Sequence, residues 1–263
     1  MTPSPILTIL AARRFSRSGE QIAEPPLVDQ RRIFLLSPAS CGGKRAALLF
    51  NDRAEFDIAR RVREQPGAPL GEVFSFLSGL YFRGKLTYAR EFQNPPPRRA
   101  PGIQIITPTD GLYSPGALVT LKDLERFATV PIDAEESRYR YPLERDASKI
   151  AERIGPKCQV VLLGSVATGK YVDVLAPIFG NRLVFPKEFV GCGDMARGGM
   201  LLQRAASGIE LAYIPVSDPS RLRLKPTKKA RAELDARLLA ADQRPTRQSV
   251  DSSVVPQANL RTP

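Results

Sequence analysis

Apolar residues along this chain alternate between two spacings. Ile33-Phe34-Leu35-Leu36, Ile103-Gln104-Ile105-Ile106, Val160 to Leu163 and Leu183-Val184-Phe185 are short, nearly continuous apolar runs that end at Ser, Thr, Gly or Pro. Runs of this length between breakers fit strands buried on both faces of a parallel sheet. Val73 to Leu77, ending at Ser78-Gly79, reads as a further strand of that kind, and Ile209 to Val216 as a last one.

Between these runs the apolar residues take helical spacing. Residues 44–64 carry Ala47, Leu48, Phe50, Ala54, Phe56, Ile58, Ala59 and Val62 among charges, and Pro66-Gly67 ends the pattern. Further helices fit residues 83–92, 135–154 (closed by Gly155-Pro156) and 170–179. Thr120-Leu121-Lys122-Asp123 spells a capping-box-like start for a short helix to Ala128. Asp194 reads as the N-cap of a last helix that Gly208 stops.

Strands alternating with helices predict an α/β fold: a mostly parallel sheet of about five to six strands, covered by helices on both faces. Residues 1–30 lack periodicity, contain Pro3, Pro5, Pro25 and Pro26, and read as a flexible arm. Residues 31–218 read as a single α/β domain. Residues 219–263 read as a basic, largely disordered tail with one short helical stretch at 228–241 and a Ser/Pro/Gln-rich end.

Composition removes several chemistries. The 263 residues contain no histidine. This excludes Ser-His-Asp and Cys-His catalysis, His-ligated zinc and an imidazole pH switch. The three cysteines, Cys41, Cys158 and Cys192, form no C-x-x-C pair, so neither a disulfide scaffold nor a Cys-only metal site is expected. No metal and no cofactor is predicted. No apolar run approaches the roughly 18 residues of a membrane span. The apolar patch Ile6 to Ala12 precedes its arginines, the wrong order for a secretory signal, and the expected compartment is the cytoplasm.

The formal net charge is +12, from 39 Lys+Arg against 27 Asp+Glu, and it is unevenly placed. Residues 219–263 carry +6, residues 1–32 carry +2, and the long middle carries only +4. A basic tail on a nearly balanced body suggests a polyanion partner such as nucleic acid. The same tail reads equally well as a solvated extension, since it has no aromatic residue to stack on bases.

In open α/β sheets ligands bind beyond the carboxyl ends of the strands. Small, polar and cationic residues gather there in this sequence. Ser37, Ser40, Gly42, Gly43 and Lys44 follow the first strand. Ser78, Gly79, Tyr81 and Lys85 follow the expected second strand, and Gly164, Ser165, Thr168, Gly169 and Lys170 follow the fourth. Asp194 and Arg197 lie in the Gly-rich segment after the fifth. Backbone N–H groups at helix starts together with Lys and Arg suit phosphate or another anion. The plainer reading is that loops are rich in Gly and Ser in any protein.

Gly164-x4-Gly169-Lys170 matches a phosphate-binding loop except at its last position, where Tyr171 replaces the Ser or Thr that would hold magnesium. A tight strand-to-helix turn, or a helix start holding an anion, is the simpler reading. Cys41 lies beside Lys44 and Arg45, where a thiolate would be stabilised, although a small buried thiol explains it as well. Glu135-Glu136 with Arg138, Arg140 and Arg145 reads as a solvated helix face.

The loop Ser37-Pro38-Ala39-Ser40-Cys41-Gly42-Gly43-Lys44, followed by Ser78-Gly79-Leu80-Tyr81, resembles α/β domains of base-modification proteins. These are the uracil-DNA-glycosylase-like domains of archaeosine synthase and the YaaA-type proteins. Their first strand ends in a Pro-Cys-Ser-x-x-Lys-like loop and their second in a Ser-x-x-Gly-Leu-like loop. The resemblance covers residues 31–175 and implies a fold and a nucleic-acid setting. The chain departs from active uracil-DNA glycosylases, whose His-Pro-Ser loop has no counterpart here.

The expected function is a nucleic-acid- or nucleotide-binding protein with an anion-binding pocket at the strand ends, the resemblance adding a link to base modification. One alternative is an enzyme acting on a small phosphorylated or nucleotide substrate. Another is a scaffold subunit without catalysis. Without histidine, any acid–base work falls to carboxylates, Lys, Tyr or Cys.

Overall fold

Four parallel strands form the centre of the sheet in the computed structural model, which describes residues 30–98 and 100–218. They are β1 (Arg32–Leu36), β3 (Ile103–Ile106), β6 (Gln159–Leu163) and β7 (Leu183–Pro186). Two short antiparallel strands, β4 (Leu112–Tyr113) and β8 (Tyr213–Pro215), close the edges, giving the order β4-β3-β1-β6-β7-β8. A separate two-stranded ladder pairs β2 (Ala68–Pro69) with β5 (Leu118–Val119). The mixed, mostly parallel α/β architecture is the one the apolar pattern predicts. The arm, the basic tail and its helical stretch at 228–241 lie outside the described residues.

The continuous apolar runs are explained by where they sit. Ile33, Phe34, Leu35 and Leu36 are all fully buried, which requires cover on both faces of β1. Helices α3 (Leu70–Ser78), α4 (Leu80–Phe92) and α8 (Asp194–Ser207) pack together on one side. Helices α6 (Ser137–Ile154) and α7 (Gly169–Phe179) pack together on the other, as right-handed crossovers from β1 to β3 and from β6 to β7 require. Short helices α1 (Lys44–Leu49), α2 (Asp57–Arg63) and α5 (Leu121–Ala128) complete the layers. Among the described residues no helix is long and apolar enough to cross a membrane.

Several sequence expectations are corrected. Val73 to Leu77 is helical and lies inside α3. Leu70, Val73, Phe74 and Leu77 all face the core, the i, i+3, i+4, i+7 stripe of a helix, and the five-residue run alone hides that period. The helix expected over 44–64 is two helices, interrupted at residues 50–56. The last strand is three residues long where eight were expected. The N-cap of α8 is Gly193, and Asp194 is the first helical residue, an acid in the first turn. At α5 the expected box is present: Thr120 N–H donates to Asp123 Oδ2 at 2.8 Å, and the Asp123 backbone N–H donates in return to the Thr120 side chain.

Helices α4 and α8 cross at close range. A Cβ placed on Gly84 would lie 2.6 Å from the carbonyl oxygen of Gly198, and one on Gly198 would lie 2.9 Å from the Cα of Tyr81. The two helices therefore meet backbone to backbone, which only glycine permits. This crossing brings Tyr81 and Lys85 of α4 beside Asp194 and Arg197 of α8.

Candidate functional site

The chain leaves β1 toward β3 on one side and leaves β6 toward β7 on the other, although β1 and β6 are neighbours. Their carboxyl ends are thus a topological switch point, where connections diverge and leave a crevice. Ser37 immediately follows β1, and Gly164 immediately follows β6. A Cβ on Gly164 would lie 3.0 Å from the Cβ of Ser37, so the β6–α7 loop runs directly against that serine.

Lys85 reaches this point from α4. It is 1% exposed, and its Nζ donates to the carbonyl oxygen of Ser37 at 2.5 Å and to Ser37 Oγ at 2.7 Å. The amine also lies over the rings of Tyr81 at 4.6 Å and Phe82 at 4.8 Å. Burial lowers its pKa from 10.5 to about 7; Asp194 opposes that shift, and Lys170 and Arg197 add to it.

Tyr171 and Tyr81 enclose the same space. Both are buried, and burial holds each phenol protonated, with the Tyr81 hydroxyl pushed up to about 12. The side chain of Ser37 acts on Tyr171, and Arg197 acts on Tyr81. Among the described residues the Tyr81 hydroxyl, Arg197 Nε and Glu188 Oε2 are buried without a well-aligned hydrogen bond, although the Arg197 guanidinium lies close enough to the Tyr81 hydroxyl to oppose part of its shift. Arg197 donates from its NH2 to the carbonyl of Phe189 at 3.0 Å, stacks on that ring at 5.1 Å, and lies 3.7 Å from the exposed Asp194 carboxylate.

Lys170 stands at the start of α7, partly exposed, with its Nζ 5.1 Å from the centre of the Tyr171 ring. The N-cap Thr168 makes no side-chain capping bond. Among the described residues no acceptor takes the backbone N–H groups of Ser165 to Thr168. The switch point therefore collects the basic side chains of Lys85, Lys170 and Arg197, the carboxylate of Asp194, the hydroxyls of Ser37, Tyr81 and Tyr171, and a stretch of uncommitted N–H donors, with the Asp173 carboxylate against Gly169 at the start of α7.

The structure brings Ser37, Tyr81, Lys85, Gly164, Lys170, Asp194 and Arg197 together, with Ser165, Thr168 and Gly169 on the adjoining loop and helix start. It does not bring in the rest of the first loop. Ser40, Gly42, Gly43 and Lys44 are exposed, and the polar contact there is local, from Gly42 N–H to Ser40 Oγ at 3.4 Å. Gly43 caps α1 and Lys44 opens it. Ser78 ends α3, and Gly79, at φ +61°, is the hinge between α3 and α4, not a strand-end loop. The guanidinium of Arg45 covers Gly79 and donates to the carbonyl of Phe76 at 3.0 Å. Cys41 is buried, which pushes its thiol up to about 12, so it is no thiolate at neutral pH.

Two features go beyond the sequence expectations. Tyr171 reads in the sequence only as a departure from the phosphate-loop pattern, and the pairing of Ser37 with Lys85 is not among those expectations. A signal for it exists: Lys85 falls on the apolar stripe of α4, four after Tyr81, three after Phe82 and three before Tyr88. A lone lysine on such a stripe must find a buried acceptor.

Comparison with known protein families, with characterised proteins and with solved structures finds no match to this chain. The resemblance to uracil-DNA-glycosylase-like domains therefore rests on the sequence alone.

Proposed function

We propose that this chain binds a phosphate-bearing ligand, a nucleotide or a nucleic acid, at the carboxyl ends of β1 and β6. The observation that supports this reading is the gathering of basic side chains at the switch point. Lys85, Lys170 and Arg197 meet there with Asp194 beside them, while the Asp173 carboxylate lies back against Gly169 at the start of α7. Phosphate oxygens are acceptors only, and the start of α7 offers them N–H groups and a favourable dipole. Leaving a buried donor unpaired costs about 1–3 kcal/mol, and an acceptor oxygen from a ligand would offset that for Arg197 Nε.

The resemblance to base-modification domains favours a nucleic acid over a free nucleotide. The +6 carried by residues 219–263 would add affinity without sequence preference. The test is a titration of the chain with single-stranded RNA, duplex DNA, nucleotides and inorganic phosphate at two salt concentrations, with and without residues 219–263. Polynucleotide binding should weaken with salt, and Lys170→Ala should reduce the slope of log K against log salt by about one. Saturable binding of mononucleotides alone would favour an enzyme acting on a small nucleotide. Absence of binding to all four at low salt overturns the proposal.

A further inference from the structure

We propose that Ser37 is a nucleophile and Lys85 its general base, and that the chain hydrolyses an ester or thioester of an anionic substrate. The proposal uses the same edge of the sheet as the ligand site above, but it does not require the ligand to be a nucleotide.

Three arrangements carry it. Lys85 Nζ lies 2.7 Å from Ser37 Oγ and 2.5 Å from the carbonyl oxygen of the same residue. A carbonyl can only accept, so one amine hydrogen is committed to it. In the neutral amine, with two hydrogens and one lone pair, the lone pair is then free to accept the proton of the Ser37 hydroxyl. The rings of Tyr81 and Phe82 close over the amine and keep water from it. Finally, the β6–α7 loop packs against Ser37 at Gly164, and its uncommitted N–H groups at Ser165 to Thr168 suit an oxygen that gains charge.

The neutral amine is attainable near physiological pH, because burial brings Lys85 to about 7. The groups facing it are Tyr81 from its own helix, Ser37 from the end of β1, Lys170 from α7, and Asp194 and Arg197 from α8. Lys170 and Arg197 would hold the negative charge of the substrate. A Ser–Lys pair is an established alternative to Ser–His, and a chain with no histidine has no imidazole to use.

The steps balance with water as co-reactant. Ser37 Oγ attacks the acyl carbon while Lys85 Nζ takes its proton, giving a tetrahedral oxyanion and an ammonium. The oxyanion collapses, the bond to the leaving alkoxide or thiolate breaks, and the ammonium returns the proton to it. Water then attacks the acyl-serine, again giving its proton to Lys85. Collapse breaks the Ser37 ester, releases the carboxylic acid and restores the hydroxyl and the neutral amine.

The full-length protein, treated with a fluorophosphonate, tests this by intact-mass measurement and peptide mapping between about pH 5.5 and 9. A single adduct on Ser37 is expected, forming faster as pH rises and levelling off above about 7. Ser37→Ala should abolish it, and Lys85→Met should slow it by about 100-fold or more. Circular dichroism melts establish that each variant is folded; if Lys85→Met is not, the pH profile of the unsubstituted chain decides. No adduct on Ser37 in a cooperatively folded chain, a pH-independent rate, or undiminished labelling in folded Lys85→Met each overturns the proposal. Failure of nucleotide binding would leave the labelling result unaffected, so the two proposals fail separately.

Discussion

Replacing Lys85 by Met gives a direct measure of how strongly this amine is desolvated. Burial brings its pKa down from the ordinary 10.5 to about 7, which corresponds to about 5 kcal/mol. The sign follows from proton counting. Below about pH 7 both the folded and unfolded chains hold the proton, and the whole penalty opposes folding. Between about 7 and 10.5 the unfolded chain keeps a proton that the folded chain lacks, so stability rises with pH. From pH 7 to 9.5 the unsubstituted chain should gain about 3 kcal/mol relative to Lys85→Met. Urea unfolding of both proteins at the two pH values reads this as a difference of differences. The hydrogen bonds to Ser37 lost in the variant shift its stability at both pH values. The buried thiols of Cys41 and Cys158 and the raised tyrosines are common to both proteins and cancel. A stability difference that stays constant within about 0.5 kcal/mol would refute the burial of a neutralised lysine at the switch point.

The remaining predictions concern other parts of the same framework. Affinity for single-stranded RNA, whose phosphodiesters keep a constant charge between pH 6 and 8, should fall as pH rises through about 7, because Lys85 loses its charge there; isothermal titration at pH 6 and 8 measures it. Gly84→Ala puts a Cβ 2.6 Å from the carbonyl oxygen of Gly198 and should cost about 1–3 kcal/mol by thermal unfolding. Thr120→Ala removes one half of the α5 capping box and should cost about 1 kcal/mol by the same measurement, leaving ligand binding unchanged.

The parallel core was legible because buried strands leave an unmistakable spelling: Ile33 to Leu36 and Val160 to Leu163 are apolar throughout and end abruptly. Val73 to Leu77 has the same spelling for a different reason. In α3 it is the buried side of a helix whose exposed positions, such as Glu72, lie just outside the run. Much of the candidate site was visible as separate strand-end residues, yet their partnership was not. Ser37 and Lys85 are 48 positions apart, and what joins them is the packing of α4 against the end of β1. In the first loop, Ser40, Gly42, Gly43 and Lys44 have the composition of an anion loop, and the structure places them, exposed, at the turn into a six-residue helix.

The backbone contact between Gly84 and Gly198 has a consequence for how this molecule tolerates change. Where side chains fill a helix interface, each new residue resets the spacing through its volume and rotamer. Here no side chain intervenes at the crossing, so contact between the two backbones sets how closely Tyr81 and Lys85 approach Arg197. The surrounding side chains hold the helices against that stop. Any side chain gained at either glycine would therefore widen the site itself, whereas substitutions elsewhere along the crossing act on it only indirectly.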